Sequence, residues 1–361
     1  MKKIKLFDPF TSHDEQKAIL KVLKSHFWAS GAGGIHVNLF EKKFGRFVGS
    51  ESCIAVNSGT AALHLALSLY DLRDKEVILP SLSFVSTAHA ILYNGAKPVF
   101  VDVDPITLCL DPSKVKEKIN KNTGAILPVH FGGMACNLNE FYKICKKHNL
   151  VLIEDAAHAA GAKYKGKPIG SHGNAVCFSF HPVKNLAMPT GGAICLNGKS
   201  STKHNMKKLE SLRWCGISNR VGSKYDVSEL GWNYYMNEFS ASVGLEQLKK
   251  LEKTNSIRRK IAKRYFKELK THYKMSFNKE CSYHLYWILV KNRSKFRKIL
   301  MEKSIETGTH YKPIHSMSFY KKNLNLPITN GIGTEIVTLP IHPNLTDSDI
   351  DKIIKFVNKF T

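Results

Sequence analysis

The chain has 361 residues, of which 43% are hydrophobic and 23% charged. That length supports a large buried core, usually as two domains or one domain with an appendage, and the balance excludes wholesale disorder. The formal net charge of +25 would attract anions such as nucleotides and phosphates, but the lysines are scattered and no compact arginine and aromatic cluster stands out, so nucleic acid is not an expected partner.

The basic start, Met1 to Pro9, is followed by no long apolar run, so no signal peptide is expected. Residues 1–50 read as an N-terminal arm with helices that pack on a larger domain. Asp14 to Lys24 has helical spacing at Ile19, Val22 and Leu23. The Gly-rich loop Trp28 to Gly34 is either a connector or a substrate-facing loop with Trp28 as a stacking surface. Val37 to Val48 is a second amphipathic helix with Phe40, Phe44 and Phe47 on one face.

Cys53 to Val56 is a short strand. It runs through Asn57-Ser58-Gly59-Thr60 into the apolar helix Ala61 to Tyr70. A helix N-terminus with free N–H groups, flanked by the Ser58 and Thr60 hydroxyls, makes an anion site; the same hydroxyls also suit an N-cap. From there strands and helices alternate. Further strands are expected at Glu76–Leu79, Pro98–Asp102, Ala125–Val129, Val151–Glu154, Ala175–Phe180 and Ala193–Leu196, with helices at Phe84–Tyr93, Pro112–Ile119 and Leu138–His148. This alternation predicts an α/β domain over residues 51–245 with a mainly parallel seven-stranded sheet covered on both faces. Ligand sites in such sheets lie beyond the C-terminal ends of the strands, where Thr60, Asp155 and Lys184 all fall.

After Cys195 the character changes. Lys203–Arg213 and Ala241–Tyr273 read as long, Lys-rich helices around the aromatic stretch Gly231 to Asn237. An apolar strand over residues 283–290, a helix Phe296–Lys303, a strand Val337–Pro340 and a closing helix Asp347–Phe360 predict a smaller C-terminal α+β domain over residues 246–361. The eight cysteines include no C-x-x-C pair, so neither a metal site nor a redox pair is expected. Those inside apolar strands, Cys53, Cys177 and Cys195, behave as small hydrophobes in a reducing cytosol. No stretch approaches a membrane span. The expected location is the cytoplasm, with no membrane partner.

The stretch Val151 to Lys184 carries the chemistry. It opens on an apolar strand ending in Asp155 and closes on Phe178-Ser-Phe-His-Pro-Val-Lys184. An acid at one strand end and a lysine just past the next is the pair that pyridoxal phosphate needs. The carboxylate keeps the pyridine nitrogen protonated, and the amine holds the aldehyde as a Schiff base.

Five motifs in order carry a family likeness: Asn57-Ser-Gly-Thr-Ala-Ala-Leu-His-Leu-Ala-Leu67, Glu154-Asp-Ala-Ala-His158, Phe178-Ser-Phe-His-Pro-Val-Lys-Asn185, Gly191-Gly-Ala193 and Gly231-Trp-Asn-Tyr-Tyr-Met236. Together they resemble the DegT/DnrJ/EryC1/StrS sugar aminotransferases, pyridoxal phosphate enzymes of fold type I. His310-Tyr311, Leu339-Pro340 and His342-Pro343 extend the likeness into the C-terminal domain.

The resemblance implies roles. Lys184 would hold the cofactor and move the proton, and Asp155 would pair with the ring nitrogen. His158 would contact the phenolic oxygen, and Phe84 would stack on the ring. Ser58, Gly59, Thr60 and Ser179 would hold the phosphate, with Asn233 supplied by the other subunit of a homodimer. It further implies an amino-acid donor such as glutamate, a nucleotide-linked keto-sugar acceptor, and pyridoxamine phosphate as the intermediate form. Tyr311, Lys312 and His315, with Trp28, are candidates for the substrate surface. Two departures bear on the donor's carboxylate: Met188-Pro-Thr-Gly-Gly192 lacks the acid many relatives have after the lysine, and Tyr235 stands where many have arginine. A free cyclic ketone as acceptor, a sugar dehydratase and a non-catalytic cofactor-binding regulator are the alternative readings.

Overall fold

The computed structural model describes residues 3–321 and 324–361. Its N-terminal helices are α1 (His13–Ser25) and α2 (Ile35–Val48). A capping box starts α1: the Ser12 hydroxyl accepts from the first turn, and Glu15 answers to the Ser12 N–H. On α2 the apolar stripe works as its spacing predicts. Phe40 and Phe44 are fully buried, stack on each other at 5.5 Å, and meet Phe178 and Phe180 edge-on at 5.0–5.3 Å.

All seven expected strands enter one sheet. In chain order the elements are β1 (Ser52–Val56), α3 (Gly59–Leu67), β2 (Glu76–Pro80), α4 (Ser86–Tyr93), β3 (Lys97–Val101), α5 (Pro112–Lys116), β4 (Thr123–Ile126), α6 (Leu138–His148), β5 (Val151–Asp155), a two-residue hairpin of β6 (Lys163–Tyr164) and β7 (Lys167–Pro168), β8 (Ala175–Ser179) and β9 (Gly192–Leu196). Across the sheet the order is β1-β9-β8-β5-β4-β2-β3. The pairs from β3 to β8 are parallel, while β9 runs antiparallel to both β8 and β1. The strands are buried on both faces, which is why they read as unbroken apolar runs rather than alternating ones. One core lies under α3 and α4; the other lies under α2 and α6 and runs on into the C-terminal residues.

Beyond the sheet come α7 (Lys203–Leu212), a hairpin of β10 (Ile217–Val221) and β11 (Lys224–Val227), and the 31-residue α8 (Glu238–Glu268). The remainder is β12 (Tyr286–Leu289), α9 (Arg293–Glu302), α10 (Pro327–Glu335), β13 (Ile336–Leu339) and α11 (Asp347–Phe360), with β12 and β13 paired antiparallel. The β6–β7 hairpin, the β10–β11 hairpin and α10 have no counterpart in the sequence reading. The β10 and β11 strands are short, largely exposed, and mix apolar with polar side chains, so no apolar run marks them. The α10 segment carries Gly331 and Gly333, poor helix formers. The division placed at 245/246 falls inside α8, one unbroken helix that packs on α1 and α2 at one end and runs toward α11 at the other. At the start of the arm, Ile4 exchanges backbone hydrogen bonds with Ser304 and Glu306 of the C-terminal part. Among the described residues no helix is long and apolar enough to cross a membrane.

Phe44 joins α2 to two strand-end phenylalanines, so Phe44→Ala should destabilise the fold by about 3–5 kcal/mol. Urea unfolding of the variant checks this; a loss below about 1 kcal/mol would mean the ring cluster is not a packing node.

Candidate active site

Parallel strands release their C-terminal ends on one side, and a cavity of about 360 Å³ opens there. At the end of β5, Asp155 is 5% exposed. Its two oxygens are both satisfied: Oδ1 accepts from the Ala157 N–H at 3.1 Å and Oδ2 from the Thr87 hydroxyl at 2.8 Å. Burial pushes its carboxyl pKa up, while these two donors, Lys184 and His130 pull it back.

Lys184 follows β8 on a turn closed by its own N–H on the His181 carbonyl at 2.8 Å. The next residue fixes the turn. Asn185 donates from Nδ2 to Asn255 Oδ1 at 2.8 Å and to the Ser282 carbonyl at 2.7 Å. Burial of the amine lowers its pKa from 10.5 to about 8, with Asp155 opposing the fall.

The third wall is the start of α3. Ser58 caps the helix, accepting from the Ala61 N–H at 3.1 Å, and the Thr60 hydroxyl donates to Ser86 at 2.8 Å. Gly59 is the first helical residue, and a Cβ there would sit 2.7 Å from the Ser179 Cβ. Only glycine lets the helix start approach β8 this closely. The free N–H groups of α3 therefore open into the cavity beside Ser179.

His158 lies on the wall between these ends and is buried. The Gly132 backbone N–H donates to its Nδ1 at 3.2 Å, so Nδ1 is an acceptor and the neutral ring carries its hydrogen on Nε2. Nε2 in turn donates to the Tyr311 hydroxyl at 3.1 Å. Burial and the Lys184 amine hold the ring neutral, its pKa well below the usual histidine range.

Of the residues singled out from the sequence, Gly59, Thr60, Phe84, Asp155, His158, Ser179, Lys184 and Tyr311 line this cavity. The others lie elsewhere. Ser58 is spent on the helix cap. The Asn233 carbonyl accepts from Asn57, and the Asn233 side chain is not on this chain's cavity. The Trp28 indole donates to the Leu23 carbonyl and packs on Phe239. Lys312 is exposed and off the wall. His315 is corrected as a surface candidate: it is 5% exposed, and its two ring nitrogens are taken by Ser81 at 2.6 Å and Asn330 at 2.9 Å.

Phe7 and His310 also line the cavity, and His284 stands behind Lys184. None of the three is a site candidate from the sequence. Phe7 arrives from the N-terminal arm and His284 from a stretch that reads simply as apolar strand, so spacing offers no signal for either. A larger groove of about 850 Å³ near Lys270 and the C-terminus holds none of these groups.

These donors suit pyridoxal phosphate. A carboxylate stands opposite an amine of lowered pKa, and a glycine-cleared helix start beside a serine suits a phosphate.

Comparison with known proteins agrees. Residues 9–358 match the DegT/DnrJ/EryC1/StrS aminotransferase family. GDP-perosamine synthase of Escherichia coli O157:H7 is 32% identical, over 100% of this chain and 99% of that protein. The structure of Helicobacter pylori PseC, an aminotransferase of pseudoaminic acid biosynthesis, superimposes with a TM-score of 0.92 at 28% identity and covers 99% of both chains. A Streptococcus pneumoniae protein, Spr1654, described as a sugar aminotransferase and solved in PLP and PMP forms, gives a TM-score of 0.93 at 26% identity, over 99% of this chain and 98% of that one. In sequence, in fold and in the chemistry of its site, the chain belongs to the DegT/DnrJ/EryC1/StrS aminotransferase family, enzymes that work with pyridoxal phosphate.

Proposed function

We propose that this aminotransferase moves an amino group from an amino acid, L-glutamate first among them, to a nucleotide-linked keto-sugar. The product would be an amino-sugar for a surface glycan or a modified natural product. The observation that carries the reading is the pairing of Asp155 with Lys184 across one cavity whose third wall is a helix N-terminus. The likeness to a GDP-perosamine synthase and to PseC supports a sugar acceptor, and a net charge of +25 suits a diphosphate. The eight cysteines are all free, in keeping with action in the cytoplasm.

Pyridoxal phosphate, when bound, supplies an aldehyde that condenses with amines and a ring that takes up the electrons left behind when a proton departs. The chain's own residues do the rest. Asp155, buried and held by Thr87 and Ala157, would pair with the ring nitrogen. Gly59, Thr60 and Ser179, at the capped start of α3, would hold the phosphate. Lys184 would take the proton from the donor's α-carbon and return one to the acceptor's carbon. Only the neutral amine can accept a proton, and a pKa of about 8 leaves about a tenth of it neutral at pH 7. Asn233 would reach the cavity of a second copy in a homodimer, which accounts for its place outside its own.

Three outcomes follow. Added glutamate should bleach the visible band of the loaded enzyme, and the bleached enzyme should then aminate one of a panel of nucleotide keto-sugars. No bleaching by any amino acid would sink the reading. Lys184→Ala should lower turnover by at least about a thousandfold while leaving the circular dichroism unchanged; wild-type activity in that variant would exclude the lysine. The rate at which the cofactor-free enzyme captures pyridoxal phosphate should rise with pH through about 8 and fall about tenfold per pH unit below it, because the protonated amine is unreactive. Stopped-flow absorbance across pH measures this.

A further inference from the structure

Lys184 Nζ lies 3.5 Å from Nε2 of His284. His284 is 1% exposed, and its ring packs on Phe7 at 5.6 Å and 16° and on His158 at 4.5 Å and 41°. The loop that carries it is tied down around the site. Ser282 donates from its hydroxyl to the His158 carbonyl at 2.9 Å, and its own carbonyl accepts from Asn185 at 2.7 Å. The backbone N–H groups of Ser282 and Leu285 both reach back to Gly133 and Gly132 at 3.3 Å. The residue after Lys184 and the residue two before His284 are therefore hydrogen-bonded, so the backbone sets the spacing of amine and imidazole. Nδ1 of His284 has no partner among the described residues.

We propose that His284 is a positioning residue for Lys184: its Nε2 accepts a hydrogen bond from the amine and holds that nitrogen at the cavity wall whenever it is not bonded to carbon. The inference rests on the reading of Lys184 as the reacting amine. An ammonium has three donors and no acceptor, so its partner must accept, and a neutral imidazole with its hydrogen on Nδ1 does so at Nε2. The ionisable groups that face the pair are Asp155, His158, His310 and Arg258. Burial and the two cations, Lys184 and Arg258, keep the imidazole neutral. Asp155 acts on the amine by charge, so His284 supplies the directed contact. Without it, the four-carbon stem regains rotamer freedom at the moment the reaction needs the amine in place.

Two variants test this in the full-length chain. His284→Phe keeps a flat ring against Phe7 and His158 without the acceptor, and His284→Gln brings an acceptor back near the position of Nε2. The readouts are the pH midpoint for capture of pyridoxal phosphate by the cofactor-free chain, and kcat and KM in turnover. A hydrogen bond to the charged form raises a pKa, so His284→Phe should move the midpoint to lower pH by about half a unit or more. It should lower kcat about tenfold with KM for the acceptor changed less than about threefold, and His284→Gln should restore both within about threefold. If the phenylalanine ring does not pack, His284→Asn, too short to reach, makes the same test. An unmoved midpoint with unchanged kcat in a folded variant overturns the proposal, as does a loss that glutamine does not recover. Lys184→Ala separates the two readings. If it abolishes capture while His284→Phe leaves the midpoint in place, His284 alone is excluded. If it still captures with the wild-type midpoint, the Lys184 reading fails and the His284 proposal falls with it.

Discussion

A carboxylate and an amine that share one cavity set the terms for everything around them. Neither is charged cheaply away from water. Asp155 is tolerated because a backbone N–H and the Thr87 hydroxyl serve its two oxygens. Those donors exist because α4 begins where it does and because the chain turns at once after β5. Lys184 is held by a different device, a turn whose next residue, Asn185, is bonded to α8 and to the loop before β12. The parallel sheet brings both strand ends to one side, and these local bonds then place the Asp155 carboxylate and the Lys184 amine at one cavity.

The N-terminal arm and the C-terminal part both contribute to the cavity wall, through Phe7 and through His310 and Tyr311. Tyr311 shares a hydrogen bond with His158, and Phe7 stacks on His284. Buried polar contacts tie the C-terminal part to the sheet. Asp102, at the end of β3, accepts from the Ile328 and Thr329 backbone and from the Thr329 hydroxyl, at 2.6–3.0 Å, so it caps α10. His315 ties Ser81, just after β2, to Asn330 on α10. Ile4 pairs beside Ile305. Each contact ties together segments hundreds of residues apart.

His158 shows how a role carried over from relatives meets local geometry. Both of its ring nitrogens are engaged, by the Gly132 N–H and by Tyr311. The hydrogen on Nε2 is spent on the tyrosine, which leaves the Tyr311 hydroxyl's own hydrogen available to the cavity. Whatever His158 does toward a bound ring, it does with Tyr311 attached.

How much could be read from the chain alone follows from how local each signal is. The seven strands were legible because burial on both faces makes each an unbroken apolar run, and α2 was legible because its phenylalanines recur at helical spacing. The turn from β1 into α3, and the lysine after β8, could be read because short motifs carry their own geometry. Asp102 and Asp155 mark the limit. Both are acids near strand C-termini, yet one caps a helix 226 residues on and the other faces the amine. His284, His310 and Phe7 likewise have no local mark, because what gives them meaning is a neighbour contributed by another part of the chain. The α/β sheet, the glycine-cleared helix start and the acid and lysine that family likeness singles out could be read from the chain, because they depend on patterns a few residues long. Which histidines stand by the amine, which acid caps a distant helix, and how the N-terminal arm and the C-terminal part reach the cavity follow from the tertiary structure, because such contacts depend on where distant backbone segments come to rest.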